Sequence, residues 1–235
     1  MIARLRAIEA SAKPSDGVVC FARLYCNVTE LVAADVGAGT FVAPTFLERL
    51  DIVFADLFFG VVANPARVPS AWAPLFAARS LRGIAPLQFA LAGMNAHINR
   101  DLPVALVTTC EERGVELRRD SPEHADFERV NDLLARVEER IKASYLTGWL
   151  AALDRILHRV DRLDDVLAMW DVRVAREAAW TNAETLWAIR DDTDLRDDFV
   201  ATLDRTVGLA GRGLLVPADT WLRRLARKLG IGSRG

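Results

Sequence analysis

The sequence predicts an all-α fold, a bundle of about eight to ten helices forming a single domain over residues 1–235. Three observations carry that prediction. Nearly every periodic stretch repeats its apolar residues at helical spacing, and no convincing two-residue alternation marks a strand. Helix-starting and helix-ending residues bracket those stretches. Hydrophobic residues make up 51% of the chain against 26% charged, which is enough to bury a sizeable core and argues against disorder over most of the length.

Ile2, Leu5 and Ile8 mark a first helix within residues 1–14, closed by Lys13-Pro14-Ser15-Asp16-Gly17. A second helix is expected from about Asp16 to Val36, stopped at Gly37-Ala38-Gly39. It carries Glu30, a candidate site residue. Pro44–Ala63 reads as a third helix, apolar nearly all round and so buried on several sides, which makes Asp51 and Asp56 candidate buried carboxylates. After a loop through Pro69, Ser70 is the expected cap of a short segment, Trp72–Leu81, ahead of the break at Gly83 and Pro86.

The central stretch, Leu87–Val107, combines an apolar stripe (Leu87, Leu91, Met94, Ile98, Leu102, Ala105) with four polar residues along its borders. His97 and Asp101 stack four apart on one side, Asn95 and Asn99 on the other. Pro103 cannot donate to the carbonyl of Asn99, so a kink or an end is expected there. On the plainer reading Asp101 caps a new helix and His97 is a core histidine bonded to a carboxylate. Beyond Pro103 the helix should run to about Arg113 and stop at Gly114. Residues 115–120 form a charged connection with room for at most a brief strand.

Ser121-Pro122-Glu123 is a strong start signal. The stripe Phe127, Val130, Leu134, Val137, Ile141 and Tyr145 then runs for about six turns, with Asp126 and Asn131 at its edges. Gly148 permits a bend before a helix at Trp149–Val160. Leu163–Ile189 reads as one long helix, with Glu177 and Glu184 in or beside its apolar stripe. A glutamate there needs either an arginine partner or a shared cavity with His97. Asp194–Leu209 is the next helix, and Gly208, Gly211 and Gly213 are expected to loosen the chain after it. Residues 219–229 form a basic amphipathic helix, with Trp221, Leu222, Leu225 and Leu229 opposite Arg223, Arg224, Arg227 and Lys228, and 230–235 a flexible tail. Such an end suits weak contact with an anionic membrane surface or a partner, or simple docking by its apolar face.

The exclusions are broad. A formal net charge of −2 carries no nucleic-acid signature. Three cysteines (Cys20, Cys26, Cys110) without a C-x-x-C spacing argue against a disulfide framework and a structural zinc site. Charge interrupts the N-terminus before any apolar run develops, and no uninterrupted run reaches the roughly 18–20 residues of a spanning helix, so a cytoplasmic location is expected. The three histidines, His97, His124 and His158, provide no paired-histidine metal motif. Hydrolase-elbow, phosphate-loop and dinucleotide signatures are absent from the sequence.

The remaining constellation is His97 oriented by Asp101, with carboxylates such as Asp56, Glu177 and Glu30 brought from other helices. A histidine beside a carboxylate is the arrangement of a general base, and one histidine with two carboxylates suits a divalent metal, with His97 and Asp101 as its first candidates. Gly93-Met94-Asn95-Ala96-His97-Ile98-Asn99, continuing to Asp101-Leu102-Pro103, with Asp126-Phe127, Val130-Asn131 and the Trp180/Trp187 segment, resembles a family of uncharacterised all-helical actinobacterial proteins, a domain of unknown function. The resemblance implies a helical single domain and the importance of residues 95–101, and brings no activity.

Two functions are therefore expected to compete. One is an enzyme acting on a small apolar molecule, with His97 as acid/base or metal ligand, Asp101 and Glu177 as its catalytic carboxylates, and Asn95, Asn99, Asp56, Glu30, Asp126 and Asn131 as binding groups. The other is a non-catalytic helical protein that binds a lipid-like ligand or a partner, its Asn/His/Asp cluster fixing the core.

Overall fold

The computed structural model describes residues 1–36, 40–135 and 171–217. Among these residues every regular element is helical: α1 (Ile2–Ser11), α2 (Gly17–Asp35), α3 (Pro44–Ala63), α4 (Ala73–Ala78), α5 (Pro86–Ala96), α6 (Leu102–Arg113), α7 (122–135), α8 (Val172–Ala188) and α9 (Thr193–Leu214). The expected all-α class is the observed one. Residues 115–120 contain no strand. The expected stop at 37–39, the stripe from Val137 to Tyr145, the helix expected at Trp149–Val160, the start at Leu163, the basic helix expected at 219–229 and the tail at 230–235 lie outside the described residues.

Several boundaries follow from identifiable caps. Asp16 accepts from the N–H groups of Val18 and Val19, which fixes the start of α2. Ser121 accepts from the His124 N–H at 3.1 Å, with Pro122 in the first turn of α7. Gly114 takes a left-handed conformation, φ 63°, and closes α6. Ser70 does not cap α4. Its N–H is instead held by Asp204 of α9, as is that of Ala71, at 2.7 and 3.0 Å.

Three expectations about helix continuity are corrected. The helix neither ends nor breaks at Pro103. A π-helical turn, His97–Asp101, joins α5 to α6, and the N–H of Leu102 reaches back five residues to the carbonyl of His97. The wider turn carries the chain through a position where an α-helix would lose a bond to proline. The stretch expected as one helix from Leu163 to Ile189 instead has a start at Val172, because the Asp171 side chain accepts from the N–H groups of Arg173 and Val174. The glycines of α9 do not loosen it; the helix runs on to Leu214. A Cβ on Gly208 would lie 2.3 Å from the Ser70 carbonyl oxygen, so this glycine lets α9 approach the loop before α4.

Two apolar clusters flank the central α5–π–α6 rod. One joins Leu5, Phe21, Phe58, Trp72, Leu75 and Phe89 from α1 to α5, closed by Val207 and Leu215. The other joins Phe46, Leu106, Phe127, Val172, Trp180 and Leu186 from α3 and α6–α8. Met94 packs against both. Among the described helices α2 is the one long and apolar enough to cross a membrane, with a mean hydropathy of 1.3 over Gly17–Ala34, but half of that stretch is buried inside the protein. The three cysteines are free and buried, and burial pushes the Cys110 thiol up to about 12, which keeps it protonated and inert.

Candidate functional site

The π turn places His97 and Asp101 between the two clusters. Both are sealed, with 2% and 0% of their side chains exposed. Nδ1 of His97 lies 3.1 Å from Oδ2 of Asp101. The same oxygen accepts from Trp72 Nε1 at 3.0 Å, and Oδ1 accepts from Arg100 at 2.9 Å. Asp101 therefore does not cap α6, since its side chain is fully engaged elsewhere. An acceptor on Nδ1 fixes the tautomer: Nδ1 carries the proton and Nε2 presents a lone pair.

Aromatic rings enclose that imidazole. Phe54 of α3 stacks on it face to face, with centroids 3.6 Å apart and planes 7° from parallel. Tyr25 meets it edge-on at 4.8 Å and Phe21 at 5.6 Å, while Phe58 and Trp72 complete the ring of neighbours at 6.2 and 6.0 Å. Gly93 makes room for this arrangement, since a Cβ there would lie 2.3 Å from the Phe21 ring. Burial holds the imidazole below its usual value of 6.5, against the opposing pull of Asp101. Burial likewise pushes the Tyr25 phenol well above 10, with Asp51 and Asp101 adding to the shift. In this site the histidine is neutral. Its Nε2 is buried and has no hydrogen-bond partner.

Asn95 and Asn99 act on the other side of the rod. Nδ2 of Asn95 donates to the carbonyl of Val207 at 2.9 Å, and Oδ1 accepts from Asn99 at 3.2 Å, so the pair fastens α9 to the rod. Arg100 bridges the two systems, with its Nε 3.5 Å from Asp204, the residue that holds the Ser70 and Ala71 N–H groups.

The other sequence candidates lie elsewhere. Glu177 does not oppose His97. It is about half exposed and bonds Arg119 at 2.6 Å, while Glu184 takes the same guanidinium at 2.8 Å. Asp56 is exposed and paired with Arg4, and Glu30 is paired with Arg6. Asp51 is exposed as well. The apolar flanks that suggested burial face partly outward on α3, where Ile52 is 50% exposed. Asp126 is fully buried but structural: it accepts from the N–H groups of Val42 and Ala43 at 2.8 and 2.6 Å and so positions the start of α3. Asn131, also buried, accepts from Arg176 and donates to Glu128. Burial brings the Arg176 guanidinium, 4.1 Å over the Phe127 ring, down to about 10.

Sequence reasoning missed Trp72, Arg100 and Asp204 as partners of the polar cluster and missed the rings around His97. An arginine beside Asp101 was the one available local signal for Arg100. Among the described residues, one set of three metal-ligating side chains lies close together, and it is not at His97: it is His124, Glu128 and Glu177. Residues 1–217 match the model of a protein family described as a family of unknown function, DUF5995. No curated protein matches the chain, and no solved structure does.

Proposed function

The chain belongs to that family of unknown function, and we propose from its geometry that His97 anchors a small, largely apolar molecule bearing one hydroxyl or N–H group. One atom supports this above all: Nε2 of His97, a lone pair held in a fixed direction, buried and unpartnered. An unmade hydrogen bond on a buried polar atom costs about 1–3 kcal/mol, and a ligand donor would recover it. The surrounding rings suit an apolar body, and Phe54, which is only half-buried, is the ring whose displacement would admit it. If the bound molecule reacts, the same nitrogen is the base, oriented by Asp101 in the manner of an acid–base dyad.

A second reading is favoured by the 2% exposure of the ring: the cluster plugs the core and binds nothing. Selective ¹⁵N-histidine labelling separates the two. Phenol and 1-hexanol should move the unprotonated Nε2 resonance of His97, while toluene should leave it in place. If saturating phenol also leaves that resonance unmoved, the binding reading fails and the core role stands.

A further inference from the structure

A second histidine, far less enclosed than His97, has an orphaned nitrogen of its own. His124 lies in the first turns of α7, its side chain 14% exposed, and its Nε2 is buried without a hydrogen-bond partner. That nitrogen points along the helix to Glu128, four residues on, with Oε1 4.0 Å away. From α8, Glu177 brings a third donor, and the three ligand atoms lie within 4.8 Å of one another. We propose that His124, Glu128 and Glu177 bind one divalent first-row transition-metal ion, which ties α8 to α7.

The set has features that a chance meeting of surface charges lacks. Both carboxylates accept from N–H donors, which fix their positions while each carboxylate keeps a second oxygen to offer. Asn131 donates to Glu128 at 3.0 Å and is itself fixed by Arg176. Arg119 bonds Glu177 and is anchored independently by two bonds to Glu184, so it keeps a partner if Glu177 turns to a metal. The imidazole is oriented by the Trp180 ring, edge-on at 4.5 Å.

Bonds of about 2.0–2.2 Å to a metal bring ligand atoms to roughly 3–3.5 Å from each other. The present spread therefore needs to close by about an ångström, which two glutamate side chains allow. One imidazole with two carboxylates selects zinc, cobalt or manganese over calcium, which prefers oxygen alone. Bound there, the ion would close the chain between Glu128 and Glu177.

The test uses the full chain stripped with EDTA and titrated separately with zinc, cobalt and calcium chlorides, followed by equilibrium dialysis, cobalt absorption and thermal melting. The expected result is one zinc per chain, a raised Tm, and visible cobalt bands. Affinity should fall by at least roughly tenfold in Glu177→Gln, Glu128→Gln and His124→Asn, but not in Glu112→Gln, which removes an unrelated surface carboxylate. Absence of stoichiometric zinc binding, a preference for calcium, or full affinity in Glu177→Gln would each overturn the proposal. If His124→Asn does not fold, Glu177→Gln decides alone, because its carboxylate is half exposed and its loss leaves the core untouched.

Discussion

Two pairs of histidine and carboxylate, His97 with Asp101 and His124 with Glu128, share a four-residue spacing, yet the structure treats them in opposite ways. The first pair is in contact, 3.1 Å apart and sealed, and its carboxylate is saturated by Trp72 and Arg100. The second is separated by 4.0 Å, with Glu128 39% exposed and the imidazole nitrogen unbonded. Spacing alone therefore says that two side chains can meet. Burial and third parties decide whether the result is a fixed dyad or an open set of ligands. In the closed pair the histidine sits among aromatic rings; in the open pair its free nitrogen lies 4.0 Å from a carboxylate oxygen.

The difference can be tested by breaking each pair in turn. Asp101→Ala should have the largest effect, about 3–5 kcal/mol of lost stability in urea unfolding, because it strands Trp72 Nε1 and His97 Nδ1 in the interior and leaves Arg100 only Asp204. His97→Ala should cost less, about 1–3 kcal/mol, since Asp101 keeps two donors. The pH profile supplies a third measure. With the folded His97 value held below 6.5 and the unfolded one near it, the unfolded chain takes up the proton first, so stability is full above about pH 6.5 and falls as pH drops towards the folded value. His97→Gln should flatten that slope when midpoints are compared across the window. Glu128→Ala, measured without added metal, should change stability by no more than about 1 kcal/mol, as expected for a half-exposed charge. A loss there as large as that of Asp101→Ala would erase the contrast.

The sequence shows the closed pair more readily than the open one. His97 and Asp101 stand out because they interrupt an apolar stripe, and their bond follows from helical spacing. The rings that enclose them come from α2, α3 and the segment before α4, so no local pattern announces them. His124 and Glu128 were legible as a spacing but lay in an ordinary polar first turn, and their third member, Glu177, is 49 residues further on, by numbering, than Glu128. Of the two readings of Glu177, the arginine partner is the one observed and the cavity shared with His97 is not, but that partner, Arg119, is half exposed and not a core residue.

The fold was legible where proline, asparagine or glycine marks a helix end. Pro44 and Asn64 bound α3, and Gly114 bounds α6. It was illegible where packing overrides a local habit. Of the glycines that read as a loosened stretch, Gly208 marks a close approach, and Asp171 starts α8 inside a stripe whose period gives no sign of interruption.

The π turn also sets the phase of everything after it. By winding one more residue into its loop, it rotates Leu102–Arg113 relative to α5, so that a single rod can present one side to Phe21 and Phe58 and another to Phe127 and Trp180. A chain shortened by one residue within 97–101 would regain a regular spiral and swing α6 by roughly 100°. The rod would then offer its polar flank to α8, and the second cluster would lose its docking face, although every apolar side chain in α6 was still present.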